Sequence, residues 1–181
     1  RALAADGAAW ASEYGANRDV TGMVCERNIL RYRSTPVLVR AGSGTALVDT
    51  VRVLAAGILA GGPIGLSVAD ELPASVRELL EGWDIEVTVE DSSSWESRLS
   101  MVANSGGLGM RVRVLGPRDQ TSAQRWAHAS RASSGSPDVA LYTGDVTSCP
   151  HAELLPFLRE QAVSITNHRF GTPLDLAAGL L

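Results

Sequence analysis

Short stretches rich in Val, Ile and Leu alternate with helical patterns along most of the chain, and this alternation constrains the fold more than any other feature. A helix is predicted over residues 45–60, because apolar residues recur at the i, i+4, i+7 and i+8 positions. Thr121 and Gln124 have the pattern of a capping box, which marks the start of another helix. Ser93 and Glu96 form a second such pattern. Strands are predicted over residues 28–33, 36–40, 64–69, 85–89, 111–115, 139–143 and 162–166.

Repeated strand–helix alternation predicts an α/β fold, an open and mostly parallel sheet with helices on both faces. Further helices are predicted over residues 3–14, from Pro73 onward and over residues 151–161. A chain of 181 residues is long enough to form one domain with its own core. The predicted parts are an N-terminal helix and lead-in (1–25), a β-hairpin flap (26–40), an α/β body (41–161), and a terminal strand with a closing motif (162–181).

Charge and composition exclude several classes of function. The chain carries 16 basic and 20 acidic residues, a net charge of −4, so a nucleic-acid partner is not expected. Its 45% apolar and 20% charged residues are ordinary for a globular protein. The sequence has no apolar run of membrane-spanning length and no opening signal segment, which favours a cytoplasmic location. Because the first residue is Arg1 and not Met, we expect the chain to be part of a longer polypeptide.

A partial phosphate-binding pattern follows the strand predicted over residues 36–40. Gly42 and Gly44 stand where the first two glycines of a dinucleotide-binding loop would stand, but Leu47 occupies the place of the third. Asp70 follows the next predicted strand, where a ribose-binding carboxylate would lie. Single partial patterns are common, and a short loop before a helix is their more frequent meaning. Gly42, Gly44 and Asp70 are the candidates for binding a nucleotide.

The cysteines and histidines form no recognisable catalytic or metal site. Cys25 and Cys149 lie far apart in the sequence. The three histidines, His128, His151 and His168, lack the spacing of metal ligands. Cys149 precedes a predicted helix whose N-terminus could activate its thiol, and His151 is close by. A proline follows this cysteine directly and no orienting acid is visible, so a buried or partly buried structural cysteine is favoured and no catalytic residue is predicted.

The predicted hairpin has one apolar side and a basic character. Leu30 and Tyr32 lie on the apolar side, and we expect them to contact another protein surface. A basic cluster of this kind is typical of a solvated edge strand, which charge protects against aggregation. The alternative is an edge that meets an acidic partner surface. The arginines of the cluster are Arg27, Arg31, Arg33 and Arg40.

Segments at both ends of the chain resemble one family. Near the start stand CERNILRYR and TPVLVR, and near the end stands LREQAVSITNHRFGTP. These segments are similar to the C-terminal region of proline utilization A, the bifunctional enzyme of bacterial proline catabolism. The middle segment PIGLSVADELPASVRELL is similar to the strand, acidic turn and helix of aldehyde dehydrogenase cofactor domains. The resemblance covers residues 1–173, and it is more specific at the two ends than between them.

The family performs two oxidations in one chain. A flavin domain oxidises proline to pyrroline-5-carboxylate, and an NAD-dependent aldehyde dehydrogenase domain oxidises the hydrolysed semialdehyde to glutamate. Longer members carry a C-terminal accessory domain that resembles a Rossmann-like fold with a β-hairpin flap and holds no cofactor. The resemblance implies that this chain is such a domain, inactive alone, whose partner is the aldehyde dehydrogenase domain of a parent that holds FAD and NAD. The Gly-Gln-x-Cys-like and Glu-Leu-Gly-Gly-like motifs of the catalytic domain are absent from the sequence.

The resemblance also assigns a role to the end of the chain. In the family, a C-terminal motif helps to close the internal channel between the two active sites. The resemblance implies that the matching residues here do the same and contact the catalytic domain. Without the resemblance, the same segment would be a terminal strand followed by a frayed tail. The alternative to an accessory domain is a free nucleotide-binding oxidoreductase fragment that uses the loop of residues 42–44. The residues that match the motif are Asn167, His168, Arg169, Phe170 and Gly171.

Overall fold

The computed structural model describes residues 1–104, 109–170 and 172–173. Its α-helices are α1 (Ala2–Ala9), α2 (Leu47–Ala60), α3 (Ala74–Glu81), α4 (Ser92–Asn104), α5 (Ser122–Ala132) and α6 (Pro150–Leu154). A π-helical segment (Trp10–Tyr14) continues α1, and a 3-10 turn (Leu155–Phe157) follows α6. The strands are β1 (Arg18–Asp19), β2 (Glu26–Ser34), β3 (Val37–Ala41), β4 (Ile64–Val68), β5 (Glu86–Val89), β6 (Met110–Leu115), β7 (Val139–Tyr142), β8 (Leu158–Thr166), β9 (His168–Arg169) and β10 (Thr172–Pro173).

The body of the protein is a parallel sheet of five strands in the order β5-β4-β3-β6-β7. The central strand β3 pairs with β4 on one side and with β6 on the other. The chain runs outward from β3 through β4 to β5 and then returns to β6, so the strand order reverses between β3 and β6. The predicted open parallel sheet is confirmed. In sheets of this type, ligands bind beside such a reversal, at the carboxyl ends of the strands.

Different helices cover the two faces of the sheet. Helices α2 and α3 pack on one face, where Leu54 and Leu66 belong to the same buried cluster. Helices α4 and α5 pack on the other face, where Trp95 and Val112 belong to a second cluster. Because successive residues of a strand point to opposite faces, Arg40 of β3 lies on the side of α4 and α5. Arg40 is therefore close to the first turns of α4 and α5.

Capping side chains explain where α4 and α5 begin. The hydroxyl of Thr121 accepts a hydrogen bond from the backbone N–H of Gln124 at 3.2 Å, and the Gln124 side chain accepts one from the backbone N–H of Thr121 at 2.8 Å. This predicted capping box is confirmed. The second predicted capping box, Ser93 with Glu96, is wrong. At the start of α4 it is the carboxylate of Asp91 that accepts a hydrogen bond, from the backbone N–H of Ser94 at 2.7 Å. An ionised carboxylate at a helix N-terminus is a stronger acceptor than the hydroxyl of Ser93, which itself donates to Asp91.

Strands β2 and β8 form a long antiparallel ribbon, which we call the flap. Their pairing extends from Glu26 opposite Thr166 to Ser34 opposite Leu158, and β1 pairs with the other side of β2. An antiparallel flap is therefore present, but the predicted hairpin pairing of residues 28–33 with residues 36–40 is wrong. The second of those segments is β3, whose side chains are mostly buried. Such a strand needs cover on both faces, which only the centre of the sheet provides.

The last predicted helix is shorter than residues 151–161. Helix α6 ends at Leu154, and residues up to Phe157 form the 3-10 turn. Pro156 lacks the N–H that a continuing helix requires. From Leu158 onward the backbone pairs with β2, so residues 158–161 are extended despite their helical pattern.

Candidate functional site

The loop of residues 42–44 lies where β3 and β6 end side by side. The backbone N–H of Gly42 donates a hydrogen bond to the carbonyl oxygen of Leu115 at 3.1 Å. A Cβ atom at Gly42 would lie 3.3 Å from that oxygen, so glycine allows the two backbones to approach closely. Gly44 has φ +74°, in the left-handed region that favours glycine. Both glycines of the predicted pattern therefore have a conformational reason to be present, whether or not a phosphate binds.

Asp70 lies against this loop and accepts its hydrogen bonds. The backbone N–H of Gly44 donates to Asp70 Oδ2 at 2.8 Å, and the Ser43 hydroxyl donates to Asp70 Oδ1 at 3.1 Å. The structure thus brings together the three residues predicted to bind a nucleotide, Gly42, Gly44 and Asp70. It also places a carboxylate where the loop would hold a phosphate, and two anions would compete for the Gly44 N–H and the Ser43 hydroxyl. This arrangement disfavours the binding of a pyrophosphate.

A buried arginine lies beneath the loop. Arg40, only 2% exposed, donates from Nη1 to the hydroxyl of Ser67 at 2.7 Å and to the carbonyl oxygen of Glu90 at 3.0 Å. Its guanidinium lies over the Trp95 ring, 5.4 Å from the ring centroid. Arg40 was predicted on an exposed edge of a hairpin, and this is wrong because β3 is the central strand. Burial lowers the pKa of the guanidinium, and the nearby carboxylate of Glu90 opposes that shift.

Glu90 joins Arg40 to a second arginine. Its carboxylate accepts hydrogen bonds from the Ser67 hydroxyl at 2.6 Å, from Arg98 Nε at 3.1 Å and from Arg98 Nη2. Burial by itself would raise the pKa of Glu90, but the hydrogen bonds from Arg98 and Ser67 outweigh it and lower the pKa. Sequence reasoning missed this network. The available signal was the apolar run Val37-Leu38-Val39 just before Arg40, because continuous apolar runs are typical of strands buried on both faces.

Cys149 and His151 do not have the geometry of a nucleophile and its base. Both Cys25 and Cys149 are exposed, so the expectation of a buried structural cysteine is wrong. His151 Nδ1 is bonded to the Tyr14 hydroxyl at 2.5 Å and not to a thiol. Burial raises the pKa of Tyr14 to about 12, with a smaller contribution from Glu13. Among residues 1–104, 109–170 and 172–173, no group of three or more His, Cys, Asp or Glu side chains could hold a metal ion.

The predicted contact residues of the flap are half-buried. Leu30 lies opposite Ala162 in β8. The Tyr32 hydroxyl donates to Glu160 at 3.4 Å, and its ring lies 4.9 Å from that of Tyr14. Burial raises the pKa of Tyr32, and the charge of Glu160 adds to this effect. Each side chain keeps some exposed surface that a partner could cover.

The closing motif begins with a buried residue and continues at the surface. The backbone N–H of Asn167 donates to the carbonyl oxygen of Cys25 at 2.8 Å, and its side chain is 3% exposed. His168 and Arg169 form β9, which pairs with β10, and Phe170 is 94% exposed with φ +53°. Gly171, which was also predicted to make contacts, lies outside the described residues. Asn167 therefore anchors the segment while Phe170 presents an apolar ring to its surroundings.

Comparison with known proteins bears on the origin of this fold. No protein-family model matches the chain, and no curated protein matches it. Among solved structures, it is similar to proline utilization A from Corynebacterium freiburgense, with a TM-score of 0.58 and 27% identity over 94% of this chain. The chain is related to a domain of proline utilization A. It spans only 13% of the length of that protein.

The comparison supports the resemblance of this chain to a domain of proline utilization A. The similarity in structure extends over 94% of this chain. Within the described part of the chain, no helix is long and apolar enough to cross a membrane.

Proposed function

We propose that the chain is a non-catalytic accessory domain of a larger proline-catabolic enzyme of the proline utilization A type. In this proposal it covers the channel that carries the intermediate and supports the aldehyde dehydrogenase domain of the same polypeptide. The observation that carries the proposal is the match of 94% of this chain to 13% of proline utilization A. The FAD and NAD of the enzyme are then held by other domains, and the location is the cytoplasm.

The loop at the strand reversal supports a non-catalytic role. Asp70 accepts hydrogen bonds from Gly44 and Ser43, the groups that would hold a pyrophosphate. His151, the nearest candidate base in sequence for Cys149, is bonded to Tyr14. A dehydrogenase needs both a cofactor site and an activated nucleophile or base, and these two features oppose that chemistry.

Exposed apolar side chains support a docking role. On α2, Val48, Val51 and Ile58 are 64%, 38% and 38% exposed, and their spacing of three and seven residues places them on one side of the helix. Phe170 is almost fully exposed on the closing motif. Apolar surface of this kind is typical of a contact with another domain. Leu30 and Tyr32 on the flap, together with residues 167–171, are the proposed contacts with the aldehyde dehydrogenase domain.

Nucleotide binding and activity of the 181-residue chain distinguish this proposal from its alternative. We expect titration with NAD or FAD to give no saturable signal, and an assay with NAD and the semialdehyde to give no NADH. Tight NAD binding would favour a nucleotide-binding oxidoreductase that uses the loop of residues 42–44. Activity that disappears in Cys149→Ala would overturn the accessory role altogether.

The channel-closing role is tested in the full-length protein that contains this chain. We expect Phe170→Ala and Arg169→Ala to lengthen the lag before NADH appears from proline, since a loosened contact lets the intermediate escape. At a buried contact, truncation of Phe170 costs about 2–4 kcal/mol of docking free energy. Loss of Arg169 strands an acceptor on the partner. Proline oxidation itself should remain nearly unchanged in both variants.

Trp126→Ala is the matched control for that experiment, because Trp126 is an exposed aromatic residue on α5, 54% exposed. It should leave the lag unchanged. Direct turnover of added intermediate, measured beside turnover from proline, separates channel leakage from a damaged dehydrogenase. If Phe170→Ala and Arg169→Ala behave like the control, the closing motif is only a terminal tail.

A further inference from the structure

A cavity of about 210 Å³ lies between the ends of β3 and β6 and the first turns of α4 and α5. Arg40, Arg125 and His128 line it, together with Ser92 and Trp95, and its lining contains no acidic residue. Its volume is that of about seven water molecules in the liquid. Pockets for drug-sized ligands begin at about 300 Å³. The cavity therefore admits a small molecule and is too small for a nucleotide.

Arg40 is a buried cation without an ion-pair partner. Nη1 is bonded to Ser67 and to the backbone of Glu90, while Nη2 has no hydrogen-bond acceptor among the described residues. Within that part of the chain, no carboxylate oxygen lies within ion-pair distance of its guanidinium. A buried charge of this kind is costly unless it is paired. The arginine at the cavity wall thus lacks an anion.

The nearby carboxylates are already engaged by other groups. Glu90 accepts three hydrogen bonds, two of them from Arg98, so Arg40, Glu90 and Arg98 together keep one positive charge. Asp70 and Asp91, which also act on Arg40 electrostatically, are exposed. Asp70 accepts hydrogen bonds from Gly44 and Ser43, and Asp91 accepts one from the backbone N–H of Ser94. The positive charge at the cavity is therefore not neutralised from within the network.

Trp95 adds a second unused donor at the same wall. Its ring is 1% exposed, and its Nε1–H has no acceptor among the residues that the structure describes. The ring stacks on His128, with centroids 5.7 Å apart and an angle of 14° between the planes. Ser92, the first residue of α4, also lines the cavity, so the positive end of this helix dipole is nearby. The carboxylate of Asp91 already accepts a hydrogen bond at this helix N-terminus, so the unused donors of Arg40 and Trp95 are the main attraction for an anion.

We propose that this cavity binds a small oxyanion, a carboxylate or an inorganic oxyanion, through the guanidinium of Arg40 and the indole N–H of Trp95. A charged hydrogen bond from an otherwise unpaired guanidinium is the main interaction. Both unused nitrogens are buried in the wall, so the Arg40 and Trp95 side chains both have to turn towards the ligand as it enters. The proposal concerns this chain alone and does not depend on its role in a larger enzyme.

The test is an NMR titration of the chain that follows the assigned indole N–H signal of Trp95. Sodium acetate and sodium phosphate are added separately at constant ionic strength, maintained with chloride, up to roughly 50 mM, where a site of millimolar Kd is nearly saturated. We expect a saturable shift of the Trp95 signal and no shift of the exposed Trp126 signal. A shift of the Trp95 signal with acetate alone would identify the ligand as a carboxylate. A shift with phosphate alone would identify it as an inorganic oxyanion. NAD should produce no shift.

Three variants decide whether Arg40 is responsible. Arg40→Gln should weaken the binding of the active anion by about tenfold or more, since it removes a charged hydrogen bond. Ser92→Tyr places a bulky side chain at the exposed rim without touching Arg40, so it tests the cavity even if Arg40→Gln does not fold. Arg118→Gln, which removes an equal charge at a position outside this cavity, should bind the anion as well as the unaltered chain does. The proposal would be overturned if neither anion shifted the Trp95 signal of the unaltered chain. It would also be overturned if Arg40→Gln and Ser92→Tyr both bound the anion as well as the unaltered chain does.

Discussion

The parallel sheet and the flap hold their side chains very differently. The central strand β3 is mainly apolar (VLVRA), whereas the flap strands β2 (ERNILRYRS) and β8 (LREQAVSIT) are rich in charged and polar residues. In β3, four of the five residues are buried, whereas β8 has one buried residue, Leu158, among nine. Helices cover both faces of the sheet, and nothing in the described part of the chain covers β8 in the same way. The comparison shows that the buried core belongs to the body, while most side chains of β8 remain at the surface.

The largest difference is expected for charged pairs. Arg113 and Glu153 form a buried ion pair in the body at 3.3 Å, with side-chain exposures of 3% and 0%. Glu153→Gln leaves the arginine charge buried without its partner, and we expect a loss of about 3–5 kcal/mol in the free energy of unfolding. Arg27 of the flap pairs with Asp19 of β1, and its side chain is 44% exposed, so Arg27→Gln should change stability far less. Urea unfolding of both variants measures the difference, and losses of similar size would contradict the division between body and flap.

Truncation of leucine should show the same contrast with uncharged side chains. Leu66→Ala removes a side chain that is 1% exposed in β4, and we expect a loss of about 2–5 kcal/mol in the free energy of unfolding. Leu30→Ala, the same change on the half-buried flap, should cost about 1 kcal/mol or less, because little apolar area is lost. Thermal and urea unfolding of the 181-residue chain provide the measurement. A cost at Leu30 as large as that at Leu66 would mean that the flap is part of the core.

The pH dependence of stability should also come from the body. Burial tends to raise the pKa of Glu90, but hydrogen bonds from Arg98 and Ser67 lower it below its unfolded value. The ionised carboxylate therefore adds stability above the unfolded pKa, and this contribution is lost as the pH falls through the folded pKa. Arg98→Gln should move the midpoint of acid unfolding to higher pH, as followed by circular dichroism.

The flap supplies the control for that experiment. The pKa of Asp19 is lowered mainly by the backbone N–H of Gly22, and Arg27 is the least of the lowering causes. Arg27→Gln should therefore leave the acid midpoint almost where it was. If both arginine variants move it equally, the effect is one of net charge and not of the buried network.

The smallest effect is expected in hydrogen exchange and depends on the proposed partner. Leu30 and Tyr32 have half-buried side chains in the chain alone, and contact with a catalytic domain would cover them. Amides of residues 28–40 that belong to β2 should exchange more slowly in the full-length protein than in the 181-residue chain. Amides of β3 are already at the centre of the sheet and serve as the internal reference. Equal exchange of β2 in both contexts would indicate a flap without an external partner.

The alternation of strands and helices was readable in the sequence because each element carries its own periodicity. Residues 45–60 show the helical spacing of α2, and Thr121 with Gln124 marks the start of α5. Consecutive βαβ units then require a parallel sheet, whatever the detailed packing. Local patterns were sufficient for this part of the fold.

The pairing of β2, by contrast, was decided by tertiary structure. Its partner β8 lies more than a hundred residues away, and the nearer β3 is taken up by the parallel sheet, where its buried side chains are covered on both faces. Because β3 pairs within the parallel sheet and not with β2, Arg40 is buried and does not lie on the expected exposed edge. Asp70 likewise meets Gly44 only because β3 and β4 are neighbours. Sequence determines what each segment can form alone, but the partner of a strand and the charges around a side chain depend on which faces the whole chain can cover.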